Sequence, residues 1–123
     1  MARRHTIRGL IIEDKKILLV TGHNAGFYWT QGGGVEDGET VLETLHREIK
    51  EELGLTVVSA EPHSTFTTDH QLIENFLIEV EGEIVPGEEI TGYAWYDTSS
   101  SIVLSEGLRA TTMVGLVGEK LVA

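Results

Sequence analysis

Glu48, Glu51 and Glu52 stand within one and a half helical turns of each other in the run Arg47-Glu48-Ile49-Lys50-Glu51-Glu52. Carboxylates crowded in this way either bind a hard cation or solvate a helix face. The chain has no cysteine and shows no helical histidine pair, so an oxygen-only set points to Mg²⁺ or Mn²⁺ rather than zinc. At roughly 100° per residue the three acids share an arc of about 100°, and its edge at Glu52 falls only about 20° from Leu45. Leu42, Leu45, Ile49 and Leu53 fall within an arc of about 80°, a stripe for packing on a sheet. Acids at the rim of a buried stripe repel one another and are costly to desolvate, so positive charge is expected among them. Arg47 lies near Glu51 on the wheel, but one guanidinium cannot neutralise three carboxylates. Taken alone, Glu-Ile-Lys-Glu-Glu is the pattern of a solvated helix face.

The helix that carries these residues is marked at both ends. Thr40-Val41-Leu42-Glu43 fits the Ser/Thr-x-x-Glu capping box, and Gly54 suits the residue after the last turn, so the helix should begin at Thr40 and run until Gly54. Before it comes the glycine-dense stretch Gly32-Gly33-Gly34-Val35-Glu36-Asp37-Gly38, which reads as a loop whose backbone can approach a ligand closely. Further upstream, 6–12 and 16–20 read as two β runs of a hairpin about the polar turn Glu13-Asp14-Lys15. Downstream, 56–60, 64–68, 72–80 and 92–96 read as strands. Residues 105–121 read as a closing helix with a serine cap, weakened by Gly115 and Gly118. This order predicts an α/β fold, a mixed sheet with helices packed on its faces.

Composition bounds the rest. A chain of 123 residues, 41% hydrophobic and 24% charged, is long enough for one folded domain and too short for two, so 1–123 is expected to be a single domain. The formal charge of -11 repels the nucleic-acid backbone and argues against a duplex-binding module. A small anionic ligand stays open, because a divalent cation can reverse the local sign of a carboxylate cluster. Lack of cysteine excludes disulfides and thiol nucleophiles and fits a reducing compartment. Gly9-Leu10-Ile11-Ile12, the longest apolar run near the start, is shorter than a signal-peptide core or a membrane span. The expectation is a soluble, cytoplasmic protein with no membrane partner.

The whole stretch from Gly33 to Leu55 resembles the Nudix box, Gly-x5-Glu-x7-Arg-Glu-U-x-Glu-Glu-x-Gly-U, where U is a bulky aliphatic residue. Gly33, Glu39, Arg47, Glu48, Ile49, Glu51, Glu52, Gly54 and Leu55 fill every fixed position without a gap. From background residue frequencies a chance match in a chain of this length is on the order of 10⁻⁸. The resemblance implies the family's α/β/α sandwich and its chemistry, Mg²⁺- or Mn²⁺-dependent hydrolysis of a diphosphate linkage in a nucleoside diphosphate joined to another group. It implies that Glu48, Glu51 and Glu52 bind divalent ions with help from a backbone carbonyl of Gly32 or Gly33. Arg47 would orient a neighbouring carboxylate and Glu39 would brace the loop against the helix, unless the two form only an ion pair. Glu48 is the first choice of general base. In some relatives the base or an extra ligand comes from a later loop, where Glu88 and Glu89 lie here; otherwise those two are solvated acids.

The substrate end is less determined. Tyr28 and Trp29 precede the glycine stretch and either stack on a base or fill core. Thr30-Gln31 stands where many relatives have Leu-Pro, so Gln31 and Gly32 form an altered edge of the site. Asp69, His70 and Asn75 either bond a base or sugar or belong to a turn, and His5, His23, His46 and His63 read as structural or exposed. His70-Gln71-Leu72-Ile73 carries neither the proline nor the tyrosine that marks some subfamilies. Gln31-Gly32-Gly33 is similar to the Pro-Gln-Gly-Gly of relatives that trim RNA 5′ ends, but the charge of -11 argues against a long RNA. The expected substrate is a small nucleotide such as a (d)NTP, and whether the chain pairs with itself as a homodimer is left open by the sequence, although many relatives are dimers. Two rivals are a sensor that binds a nucleotide without cutting it, which commonly loses box glutamates, and an allylic diphosphate isomerase, which usually relies on a cysteine.

Overall fold

The computed structural model describes residues 3–123. The chain runs through β1 (Arg4–Leu10), β2 (Ile12–Glu13), β3 (Lys16–Thr21), β4 (Gly32–Gly34), α1 (Val41–Leu53), β5 (Thr56–Thr67), β6 (Gln71–Glu81), β7 (Gly92–Tyr96), α2 (Glu106–Ala110) and α3 (Thr112–Gly118). One sheet has the order β4-β1-β6-β5 and is mixed, since β1 runs parallel to β6 and the other pairs are antiparallel. The second sheet, β2-β3-β7, is antiparallel.

The alternation along β3 explains the layers. Leu18 and Val20 join Ile7 of β1 under α1, whereas Ile17 and Leu19 join Leu10 beneath Leu108, Met113 and Leu116 of α2 and α3. Apolar side chains on both faces let helices cover the sheets from both sides, which is the α/β/α arrangement expected from the motif. Among the described residues no helix is long and apolar enough to cross a membrane.

The helix bearing the acids forms as its caps dictate. Thr40 Oγ1 accepts from the Glu43 N–H at 3.1 Å, Glu43 Oε1 accepts from the Thr40 N–H at 2.9 Å, and Gly54 takes φ 70°. Leu45, Ile49 and Leu53 are fully buried, each worth roughly 1.5–3 kcal/mol. Leu42 departs from the predicted stripe and is 50% exposed. It sits in the first turn, where the adjacent Val41 packs against the core instead.

Four local expectations need correction. The 6–12 run splits between the two sheets, so the hairpin closes only where Ile12 meets Ile17 and Glu13 meets Lys16, around Asp14 and Lys15 at φ 50° and 61°. The glycine stretch is not all loop, because Gly32–Gly34 pairs with β1 as an edge strand. Segments 56–60 and 64–68 join into one strand with irregularities at Val57/Ser59 and Pro62/Ser64. Pro62 is accommodated because β5 lies at the sheet edge. Finally, the closing helix breaks at Thr111 (φ -122°, ψ -82°), continues through Gly115 and ends at Gly118, short of residue 121. At the break the Thr111 hydroxyl donates to the Gly107 carbonyl at 2.6 Å.

Gly54→Ala tests the cap. The new Cβ would carry a left-handed backbone and lie 3.0 Å from the Val85 Cβ. A loss of about 1–2 kcal/mol in urea unfolding is expected.

Candidate active site

The acidic face of α1 looks across a cleft at the glycine strand. The cleft, about 430 Å³, is lined by Gly32, Gly33, Glu48, Glu51, Glu52 and, from the far side, Glu88 and Glu89. The segment before Glu88 is docked on the free carbonyls that end α1. Val85 N–H donates to the Leu53 carbonyl at 2.8 Å and Gly87 N–H to the Glu52 carbonyl at 2.9 Å. A Cβ on Gly87 would overlap the Glu51 carbonyl oxygen, so only glycine permits this approach. Glu88 and Glu89 are thus acids of the cleft wall. Sequence reasoning named them but had no signal for the docking.

Arg47 is the hub of the charges. Its Nε and Nη2 grip Glu39 Oε2 and Oε1 at 2.7 and 3.0 Å, while Nη1 reaches Glu48 Oε1 at 2.8 Å and Glu51 Oε2 at 3.3 Å. Nη2 also donates to the Gly34 carbonyl at 3.2 Å. Glu39 in turn accepts from the Glu36 N–H and the Thr44 hydroxyl, both at 2.9 Å. The pair therefore joins β4, the following loop and α1, which is more than an isolated ion pair. The Arg47 hydrogen bonds, aided by the Glu36 N–H, hold the Glu39 carboxyl down at about 2. The same bond to Glu39 raises the pKa of Arg47 against the opposing pull of burial.

Glu52 is tuned in the opposite direction. Burial pushes its pKa up to about 7, and the charges of Glu48 and Glu89 add to the rise. The Gly32 N–H, which donates to Glu52 Oε2 at 2.7 Å, and the nearby Arg8 oppose it. Arg8 is anchored by Nη1 to the Thr30 carbonyl at 2.9 Å and the Gly32 carbonyl at 3.3 Å, and its own pKa is lowered by burial. Sequence reasoning missed Arg8. The alternation of Arg4 and Arg8 along β1 was the only available signal.

The residues present fit a hard divalent cation. A Cβ on Gly33 would overlap the Glu48 carboxylate, so the glycine lets main-chain oxygens lie against the acids. The donors are carboxylates and carbonyls, the set that Mg²⁺ and Mn²⁺ prefer. Among the described residues no three acid or imidazole groups already form a metal cage. Glu48 is turned toward Arg47 and Glu52 toward the Gly32 N–H, which keeps like charges apart.

The residues expected to touch substrate divide. Gly32 lines the cleft through its backbone. Gln31 does not reach it, being fully buried with Nε2 donating to the carbonyls of Gly9 at 2.8 Å and Leu18 at 3.3 Å, a tie between the two sheets. Tyr28 is half-buried, pairs with Leu104 and packs in the α2–α3 core. Trp29 instead lines a second cavity of about 260 Å³, with Arg8, Phe66, Asn75 and Thr112. Asp69 and His70 stay exposed between β5 and β6, and His23 and His46 are exposed. His5 and His63 pair with Glu74 and Glu119 at 2.5 and 2.7 Å.

A family model described as NUDIX domain matches residues 3–109. The chain belongs to the Nudix family. Over 52 residues, 40% of this chain and 31% of the other, it is 50% identical to an ADP-ribose pyrophosphatase of Methanocaldococcus jannaschii. Over 75 residues, 58% of this chain and 27% of the other, it is 40% identical to the NAD-capped RNA hydrolase NudC of Pseudomonas aeruginosa. These matches span less than a third of the length of those curated relatives. A MutT structure from work on Aliivibrio salmonicida and Vibrio cholerae shares the Nudix fold at TM-score 0.81 and 22% identity, covering 95% of this chain and 99% of that one.

The Glu52 site makes a stability prediction for protein kept in chelator. A carboxyl whose folded pKa of about 7 exceeds its ordinary value of 4.5 lends stability that is complete below 4.5 and is lost as pH rises through 7. Thermal unfolding should therefore show a fall between pH 5 and 8, worth up to about 3 kcal/mol by linkage. Glu52→Gln should flatten that slope.

Proposed function

We propose that this Nudix protein is a divalent-metal-dependent hydrolase that cuts a diphosphate linkage in a nucleoside diphosphate derivative, with a small nucleotide such as a (d)NTP as substrate. The observation that carries this reading is the placement of Glu48, Glu51 and Glu52 on one cleft wall against the glycine strand. The activities that the names of the two relatives carry, on ADP-ribose and on NAD-capped RNA, support the same class of linkage.

Glu51 and Glu52, with a carbonyl of Gly32 or Gly33, are the groups to hold Mg²⁺ or Mn²⁺, and Glu48 completes the set. The chemistry such an ion supplies is neutralisation of phosphoryl oxygens and activation of water. The chain's own work is positioning and proton transfer. Arg47 fixes Glu48 Oε1, which leaves Oε2 to accept a proton from the attacking water. The water oxygen bonds to phosphorus as the bridging phosphorus–oxygen bond breaks, and the released phosphate takes up the electron pair. Glu88 and Glu89, on the facing wall, are the alternative bases.

A panel of nucleotides with Mg²⁺ or Mn²⁺, scored for released phosphate and diphosphate, is the test. Glu52→Gln should abolish turnover through loss of the cation, while Glu48→Gln should slow it by about 10²–10⁴ with less effect on cation affinity. Equal activity of both variants and the parent at saturating Mg²⁺ would overturn the assignment. Tight binding of a nucleotide without turnover would favour a sensor.

A further inference from the structure

The second cavity carries a polar device that the cleft chemistry does not use. It lies on the α2–α3 side, and Trp29, Phe66 and Arg8 are among the residues that line it. Arg8 lines this cavity while its guanidinium bonds to the carbonyl of Gly32, a residue of the cleft. A base held in this cavity beside its aromatic residues would therefore have a cation between it and the acidic cleft to meet its phosphates.

Asn75, only 2% exposed, contributes the buried amide of this cavity. Its Nδ2 donates to Ser64 Oγ at 3.1 Å and Thr112 Oγ1 at 3.3 Å. Among the described residues no donor reaches Oδ1, so this oxygen is the amide atom left to face a ligand. Both partners are hydroxyls, which can give or take a proton, so they alone do not fix which end of the amide faces the cavity.

The fixing element is a relay that ends at the surface. His63 Nε2 lies 2.7 Å from Glu119 Oε1, and His63 Nδ1 lies 2.9 Å from Ser64 Oγ. A carboxylate can only accept, so the proton of a neutral His63 sits on Nε2 and Nδ1 is the acceptor. The Ser64 hydroxyl must then donate to Nδ1 and take its other bond from the Asn75 Nδ2 group. Each link follows from the one before, and the outcome is an outward carbonyl on Asn75.

We infer that the Glu119–His63–Ser64 relay sets Asn75 to present a carbonyl oxygen to the second cavity, selecting a nucleobase with an amino group over its carbonyl counterpart. The inference rests on the nucleotide substrate proposed above. Asn75 is a specificity residue, and Glu119, His63 and Ser64 are positioning residues.

The test measures binding of ADP against IDP and CDP against UDP by calorimetry in chelator, and turnover of the same nucleotides with Mg²⁺ alongside. The parent should favour the amino member of at least one pair by about tenfold or more. Glu119→Lys places a donor on Nε2, moves the ring proton to Nδ1, makes Ser64 donate to the amide and turns Nδ2 outward, so the preference should reverse. Glu119 is exposed, so the fold should tolerate this change. Glu119→Gln, which can still accept from Nε2, should keep the parent preference, and Ser64→Ala should bring the ratio near one. Turnover with ratios near one in the parent, or ratios unmoved by Glu119→Lys, would overturn the relay and leave the hydrolase standing. An amino preference without hydrolysis would keep the relay and remove the hydrolase, and no binding of any nucleotide would remove both.

Discussion

Everything in the site depends on how near helix α1 comes to the glycine strand. Backbone without side chains at Gly32 and Gly33 lets the Glu52 carboxylate take a main-chain N–H and lets Glu48 lie against the strand. Any larger residue at Gly33 would occupy the space of a carboxylate oxygen. The helix can be held that close because Leu45, Ile49 and Leu53 are buried on its other side, so the hydrophobic stripe supplies the force that presses acids toward a strand. Charge is concentrated by packing.

The two arginines answer this concentration differently. Arg47 works from the rim, sharing its donors among Glu39, Glu48, Glu51 and the Gly34 carbonyl, and so fixes where the acids point. Arg8 works from beneath, spending its bonds on main-chain carbonyls and acting on Glu52 only through its field. Glu39 and Glu52, thirteen residues apart on one motif, consequently sit on opposite sides of the usual carboxyl range, at about 2 and about 7. One is saturated with donors and the other is desolvated among like charges.

What the sequence made legible was local. The capping box, the glycine stop and the period of the apolar stripe are written in adjacent residues, and α1 formed as they dictate. The motif also told which face of the helix carries the acids. The contacts that finish the site are between distant segments and left no pattern to read. The docking of Gly87 on the end of α1, the burial of Gln31 between the sheets and the exchange of Tyr28 for Trp29 as the aromatic of the second cavity each depend on tertiary packing. The same holds for the 6–12 run. Its alternation reads as one strand, yet the chain changes sheets at Ile11 because β4 and β6 take up the backbone of β1.

The segment from Val85 to Ile90 is pinned at both ends, by the carbonyls of Leu53 and Glu52 at one and by the buried Ile90, whose N–H meets the Gly87 carbonyl at 3.0 Å, at the other. An added residue there has nowhere to go but outward at Glu88 and Glu89. Length variation in this short span would thus reset the reach of the far-wall acids while leaving the helix, the strand and their mutual spacing intact, so the far side of the cleft can be reshaped without rebuilding its frame.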